Sequence, residues 1–121
     1  MTTGEYISLT AELPWSWGSQ DCTLWVADWC IHRWGFDPAR RFRGRYSTGE
    51  AACLLMACGM ITRVGPEIPL NVKAHADEGD IAVIRIMGKQ VAALRSESYW
   101  AFRTVDGVGF VKGRALRIWG D

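Results

Sequence analysis

The pattern of apolar residues changes its period about half-way along the chain. Between Asp21 and Gly35, apolar residues recur three and four positions apart, which is the spacing of a helix with one buried face. These positions are Cys22, Trp25, Val26, Trp29 and Cys30. Asp21 is a favourable N-cap and Gly35 a favourable stop, so we predict a helix between them.

Two further helices are predicted in the first half of the chain. A short one runs from Tyr6 to Leu13 and is closed by Pro14. The segment "STGE", Ser47–Glu50, has the spacing of a capping box, which places a helix start there. This helix would run to Cys58, with Gly59 as its C-terminal stop.

Short stretches of β-forming residues occupy the second half, after a loop rich in helix breakers, "VGPEIPLNVKAHADEG". The stretches are "DIAVIRI", "QVAALR", "YWAFRT", "VGFV" and "ALRIW". Helices followed by strands predict an α+β fold, with N-terminal helices packed on a small antiparallel sheet or barrel. We expect a single domain, 1–121, with a helical part at about residues 1–60 and a β part at about residues 78–121.

Composition and charge exclude several classes of protein. The 49% of apolar and 22% of charged residues are typical of an ordinary globular domain, and 121 residues suffice for one modest core. The 14 Lys and Arg nearly balance the 13 Asp and Glu, so bulk charge indicates neither a nucleic acid nor an acidic partner. No apolar run approaches the roughly 18 residues of a membrane span, and no secretory leader is recognisable. We expect a protein that acts where it is made or leaves inside a larger assembly.

The four cysteines, Cys22, Cys30, Cys53 and Cys58, favour neither disulfides nor zinc. Cys22 and Cys30 lie on one predicted helix about 12 Å apart along its axis, whereas a disulfide needs Cα atoms within about 7 Å. Cys53 and Cys58 would point to different faces of another helix. The chain has no C-x-x-C pair and its two histidines are isolated. We expect reduced thiols and no metal or other cofactor.

Cys22 has the position of a candidate nucleophile. A cysteine in the first turn of a helix is close to unpaired backbone N–H groups and to the positive end of the helix dipole, both of which favour the thiolate. The same N–H groups could form part of an oxyanion hole. The alternative is that Cys22 is a small core residue without a chemical role.

Three segments in this order resemble a known group of enzymes: "DCTLWVADW", "DPARRFRGRYST" and "EGDIAVI". An Asp-Cys pair at a helix start, an all-β second half and a "GD" followed by an apolar strand resemble the NlpC/P60 group of papain-like cysteine peptidases. The closer resemblance, roughly from Trp15 to Trp119, is to a short family encoded in phage tail gene clusters and distantly related to NlpC/P60. The resemblance implies a papain-like fold.

The resemblance also implies a catalytic triad of a cysteine, a histidine on the strand after the "GD" strand, and a polar residue on the next strand. Gln90 stands where that histidine is expected, and glutamine cannot accept a proton from a thiol. His32 lies about 15 Å down the helix from Cys22, too far to substitute. His75, in the loop before Asp80, is the alternative base; otherwise it is a solvated loop residue.

The alternation of "QVAALR" predicts which way Gln90 points. Gln90, Ala92 and Leu94 share one face of the strand, and Val91, Ala93 and Arg95 the other. Because Arg95 is costly to bury, its face should be the more exposed one, at least at that end. We therefore expect Gln90, Ala92 and Leu94 to face the helix that begins at Cys22.

The resemblance with its missing base suggests a structural or assembly component of a bacteriophage tail tip, with a peptidase-like fold and without enzymatic activity. Its partners would be other phage tail proteins, and its location the host cytoplasm during assembly and then the virion tail. The alternative is a cysteine peptidoglycan amidase or endopeptidase that acts during phage DNA entry, with Cys22 as nucleophile. Peptidoglycan would then be its partner.

Four arginines within six residues are a further candidate site: Arg40, Arg41, Arg43 and Arg45. Arginines interleaved with aromatic residues are typical of phosphate or nucleic-acid sites. The nearly balanced net charge and the lack of a recognised nucleic-acid module argue against that role. In the phage tail family a similar "RGRY" segment implies a structural role, in which Arg–carboxylate pairs tie the inter-helix loop to the body.

Overall fold

The computed structural model describes residues 1–57 and 59–121. The helices are α1 (Thr3–Thr10), α2 (Cys22–Trp34), α3 (Gly49–Leu55) and α4 (Met60–Val64), and a short 3-10 helix, Gly65–Glu67, follows α4. No helix among these described residues combines the length and apolar character needed to cross a membrane.

Six strands form one antiparallel sheet: β1 (Asn71–Lys73), β2 (Ile81–Ile86), β3 (Lys89–Ser96), β4 (Tyr99–Thr104), β5 (Gly107–Val111) and β6 (Arg117–Gly120). Their order across the sheet is β1-β6-β2-β3-β4-β5. The last strand therefore returns to lie between β1 and β2, where it pairs antiparallel with both. The predicted α+β class is confirmed. In the part of the chain that the structure describes, β1 and β5 remain unpaired edges, so the sheet does not close into a barrel.

The central helix agrees with its prediction. Asp21 is its N-cap and accepts hydrogen bonds from the backbone N–H groups of Thr23 and Leu24. Gly35 ends it in the left-handed conformation, at a φ of 80°, and returns its own N–H to the carbonyls of Cys30 and Ile31.

The other helix boundaries correct the sequence-based prediction. α1 begins at Thr3 and ends at Thr10, because Thr2 and Glu5 form a capping box that the prediction from Tyr6 to Leu13 missed. α3 is capped by Thr48 rather than Ser47 and ends at Leu55. The predicted end at Cys58 lies outside the described residues.

Two elements lie where the sequence predicted a stop and a loop. Gly59, expected to end a helix, is instead the N-cap of α4, with a φ of 97°. β1 falls within the segment rich in breakers, and its three residues pair with β6. The other five strands occur where they were predicted, to within two residues at each end.

Both faces of the sheet are packed. On one face, α2 contributes Trp25 and Trp29 to the main core, together with Ala92 and Leu94 of β3. This confirms that Ala92 and Leu94 face the helix. The opposite face carries a second, smaller buried cluster, made of Ala82, Ile84, Ala93 and Trp100. Greater exposure of this face was expected at the Arg95 end, where Arg95 is half-buried; at the centre of β3 the face is covered, because Ala93 is completely buried.

The "EGD" segment before β2 joins three parts of the fold. Glu78 accepts a hydrogen bond from the hydroxyl of Thr3 and so ties α1 to the sheet. The carbonyl of Gly79 accepts from the indole Nε1 of Trp29, at 2.9 Å. A side chain at Gly79 would meet the guanidinium of Arg33, and its φ of 86° favours glycine. The segment therefore has a structural role that is independent of any catalytic one.

Asp80 ends this segment as a buried carboxylate. It accepts hydrogen bonds from the ammonium of Lys73 at 2.6 Å and from the backbone N–H of Asp77 at 2.8 Å. Gly120 of β6 lies directly against it, so that a Cβ there would be 2.1 Å from Asp80 Oδ1. The last strand can lie beside β2 because residue 120 has no side chain.

We predict that Gly120→Ala destabilises the fold by about 1–3 kcal/mol, because the added methyl group overlaps a buried, hydrogen-bonded carboxylate. Gly4→Ala on α1 is the matched control, since its new Cβ meets only Thr2 Oγ1 at 3.9 Å. The control should change stability by less than about 1 kcal/mol. Urea denaturation followed by circular dichroism measures both free energies of unfolding. Equal stabilities of the two variants would contradict the close packing of β6 on Asp80.

Candidate functional site

A cleft of about 430 Å³ opens between the start of α2, the helix α3 and the start of β3. Cys22 and Gln90 both line this cleft, and so does Cys53 of α3. Most of the remaining surface is apolar and includes Trp17, Ala52, Met56, Met60 and Val91. The structure thus brings together the candidate nucleophile and the residue at the expected histidine position.

The surroundings of Cys22 favour the protonated thiol. Cys22 is the first residue of α2 and is half-buried. Burial, and next the negative charge of Asp21, raise the pKa of the Cys22 thiol above its usual value. The expected lowering by the helix N-terminus does not prevail. The thiol also lies 4.0 Å from the hydroxyl of Thr23, a long contact.

Two N–H groups in the first turn of α2 already have an acceptor. The Oδ1 atom of Asp21 accepts from the N–H of Thr23 at 3.1 Å and from that of Leu24 at 3.0 Å. The predicted contribution of these N–H groups to an oxyanion hole therefore conflicts with the capping interaction. A carbonyl substrate would have to displace a buried carboxylate from them.

The second oxygen of Asp21 holds two segments that frame the cleft. Its Oδ2 atom accepts from the backbone N–H of Gly18 at 2.8 Å and from the hydroxyl of Tyr46 at 2.5 Å. Burial and the hydrogen bond to Asp21 raise the pKa of Tyr46 well above its usual range, so the phenol stays neutral and acts as a donor. Tyr46, the tyrosine of "RGRY", thereby joins the inter-helix loop to the start of α2.

Gln90 has a structural partner. Its Oε1 atom accepts a hydrogen bond from the backbone N–H of Met60, at 2.9 Å. Met60 is the first residue of α4, whose N-cap Gly59 has no side chain to offer. Gln90 therefore caps α4 from the neighbouring strand, and its amide oxygen is directed at a helix end rather than at the thiol.

Neither histidine belongs to the described lining of the cleft. His75 lines a separate groove with Trp100, which lies in the buried cluster on the other face of the sheet. His32 is exposed near the end of α2, with its ring 5.9 Å from that of Trp29. The structure does not bring His75 to Cys22, so it gives the alternative base no place in the cleft.

The other cysteines and the acidic residues do not form a metal site among the described residues. Cys22, Cys30 and Cys53 are free thiols; Cys58 lies outside the described residues. Burial raises the pKa of the Cys30 thiol far above its usual range. Among residues 1–57 and 59–121, no three His, Cys, Asp or Glu side chains are grouped to hold a metal ion.

The arginine-rich loop after α2 makes the Arg–carboxylate pairs that were expected. Arg43 Nε lies 2.7 Å from the carboxylate of Asp37, and Arg43 Nη2 lies 2.7 Å from that of Asp28 on α2. Arg41 pairs with Glu67 of the 3-10 helix, also at 2.7 Å. Arg41 and Arg43 thus confirm the structural role, which holds the loop against α2 and the segment after α4.

A family model described as "Domain of unknown function (DUF6950)" matches residues 2–120, almost the whole chain. The chain belongs to the DUF6950 family. Comparison with curated proteins and with solved structures gave no match.

Sequence reasoning missed several residues that shape the cleft of this DUF6950 domain. Trp17 packs against α3, where a Cβ at Gly49 would lie 3.1 Å from its ring. Met60 belongs to a helix that was not predicted, and Lys89 extends β3 by one residue. Tyr46 had a signal in the sequence, because a tyrosine next to an arginine-rich loop needs a buried partner for its hydroxyl.

We predict that Tyr46→Phe destabilises the DUF6950 domain by about 1.5–3 kcal/mol, the usual value for a hydrogen bond to a charged group. The substitution keeps the ring but removes a donor to the buried Asp21 carboxylate. Tyr99→Phe is the control, because Tyr99 is exposed and lies outside the cleft. Its effect should be within about 0.5 kcal/mol. Urea denaturation measures both, and equal effects would count against the Asp21–Tyr46 bond.

We predict that alkylation of Cys22 by iodoacetamide has a higher pH midpoint in the folded domain than in the urea-unfolded chain, where about 8.5 is expected. Because the folded thiol keeps its proton to higher pH, folding stability falls as the pH rises above the unfolded pKa. Peptide mapping by mass spectrometry follows Cys22 separately from the other cysteines. A folded midpoint below the unfolded one would indicate an activated thiolate.

Proposed function

We propose that this DUF6950 chain is a structural or assembly component of a bacteriophage tail tip, built on an NlpC/P60-like domain that does not hydrolyse peptide bonds. It would be present in the host cytoplasm during assembly and then in the virion tail. Its partners would be other tail proteins.

The observation that carries the proposal is the state of the cleft. A cysteine hydrolase needs a thiolate, a proton acceptor near it and donors for the oxyanion. Here the pKa of the thiol is raised, Gln90 caps α4, and Asp21 accepts from the N–H groups of Thr23 and Leu24 in the first turn of α2. Each of these three features disfavours hydrolysis by Cys22.

The fold and the resemblance support the remaining parts of the proposal. A helix with Cys22 at its start packs on an antiparallel sheet, and Gln90 on β3 lines the same cleft as Cys22. The NlpC/P60 resemblance implies such an arrangement. The location in a phage tail rests on the three segments "DCTLWVADW", "DPARRFRGRYST" and "EGDIAVI".

The cleft suits contact with a neighbouring protein. Its walls are mainly apolar, and exposed apolar side chains adjoin its lining in sequence. Leu54, next to Cys53, is 74% exposed, and Met87, in the turn before Lys89, is 97% exposed. Exposed apolar groups beside a concave apolar surface are typical of protein interfaces.

A peptidoglycan amidase or endopeptidase with Cys22 as nucleophile is the second candidate. It is favoured by one observation, the position of Cys22 at a helix start inside a cleft large enough for a peptide. It requires a base from outside the described lining, or a rearrangement that frees the first turn of α2.

The test compares three phages: wild type, one lacking the gene for this chain, and one carrying Cys22→Ala. We expect the deletion to abolish normal tails in electron micrographs, whereas Cys22→Ala keeps infectivity within about a factor of two, since no nucleophile is lost. The purified chain should release no fragments from peptidoglycan. Mass spectrometry of purified virions should detect it.

Two results would contradict this proposal in different ways. Normal infectivity and normal tails in the deletion phage would refute an assembly role. Peptidoglycan cleavage that falls by more than about a thousandfold in Cys22→Ala would establish the enzymatic alternative.

A further inference from the structure

A second groove, of about 260 Å³, lies on the other face of the sheet from the cysteine cleft. Its walls come from the loop between β1 and β2, the loop between β5 and β6, and the end of β3. Cationic or protonatable side chains line it: Lys73, His75, Arg95, Arg114 and Arg117. Its described lining contains no Asp or Glu.

Arg95 is fixed in position inside this groove. It pairs across the sheet with Trp100, and its guanidinium lies 5.1 Å from the centre of the Trp100 ring. Stacking on an aromatic ring holds a guanidinium in one plane and leaves its edge free to donate. Its Nε atom is buried and has no hydrogen-bond partner in the described part of the chain. Buried donors of this kind normally have a partner.

Arg114 supplies a second guanidinium without a counter-ion. It is exposed in the loop between β5 and β6, and no salt bridge or side-chain hydrogen bond involves it among the described residues. Arg41 and Arg43, by contrast, are paired with carboxylates. Three guanidiniums that pair with no carboxylate among the described residues therefore meet at this concave surface: those of Arg95, Arg114 and Arg117.

The nearby carboxylates are already neutralised in part. Lys73 Nζ bridges Asp77 at 2.7 Å and Asp80 at 2.6 Å. The hydrogen bonds and charges of these carboxylates raise the pKa of Lys73, which keeps its ammonium charged. The groove still has an excess of positive charge when Lys73 and its two carboxylates are included, because its arginines form no ion pair among the described residues.

We propose that this groove binds a phosphate group carried by a small ligand. A phosphate has three terminal oxygens, so it can accept from more than one of these guanidiniums at once. A carboxylate has only two oxygens and would leave more donors unused. This inference is independent of the proposed role in a phage tail.

The test uses the full chain and three probes: inorganic phosphate, tripolyphosphate and a nucleoside triphosphate. Isothermal titration calorimetry gives the affinity, and ¹H–¹⁵N NMR locates the site. We expect saturable binding that shifts the Arg95 Nε–H signal and the amides of residues 73–76 and 113–116. Equal affinities for tripolyphosphate and the nucleotide would identify the phosphates as the part that is recognised, and tighter binding of the nucleotide would show that its base contributes.

Arg114→Gln is the first variant, because Arg114 is exposed and its loss does not endanger folding. It should weaken tripolyphosphate binding by about tenfold or more. Arg40→Gln is the matched control, since it removes the same charge at an exposed site outside the groove. It should change the affinity by less than about twofold. Arg95→Lys keeps the charge but loses the planar fork, and should also weaken binding.

Three results would overturn the proposal. Equal losses in Arg114→Gln and Arg40→Gln would show that the probes sense only general surface charge. The absence of saturable binding by any probe would show that the groove is not a phosphate site. Binding of a single-stranded oligonucleotide or of a glutamate-rich peptide without binding of tripolyphosphate would assign the groove to a different class of partner.

Discussion

The buried carboxylate of Asp21 is the interaction on which the helical half of the structure depends. It accepts four hydrogen bonds, two from the first turn of α2, one from the turn at Gly18 and one from Tyr46. Three segments, a turn, a helix and an arginine-rich loop, therefore meet at one carboxylate. The same carboxylate also sets the chemistry of its neighbour, because its charge disfavours a Cys22 thiolate.

Residues that resemble a catalytic site make structural hydrogen bonds in this chain. Gln90 is the clearest case, since a residue opposite Cys22 provides the cap that Gly59 cannot. The "EGD" segment is another, because its side chain and backbone oxygens accept bonds from Thr3 and Trp29. A resemblance in sequence is evidence for a shared arrangement of elements, and the hydrogen bonds of each side chain decide whether chemistry remains.

Local signals in the sequence predicted the parts of the fold that depend on neighbouring residues. The apolar stripe and the caps of α2 are such signals, and so are the stretches of β-forming residues in β2 to β5. Elements stabilised by distant partners were missed: β1 is short and depends on β6, and α4 depends on Gln90 of β3. The period of β3 predicted that Gln90 faces the side of the sheet on which α2 packs, and Gln90 and Cys22 line the same cleft. The raised pKa of Cys22 was not predicted, because burial is a property of the packed domain.

The two walls of the cysteine cleft differ in how firmly they are held. One wall is the start of α2 and β3, within the main core, whereas α3 contributes no buried residue. Helices with little buried apolar surface open by local fluctuation at a small fraction of the global unfolding energy. Amide hydrogens of α3 should then exchange with solvent far faster than those of the central strands. A partner that binds in the cleft would order α3. Its association would therefore carry an entropic penalty.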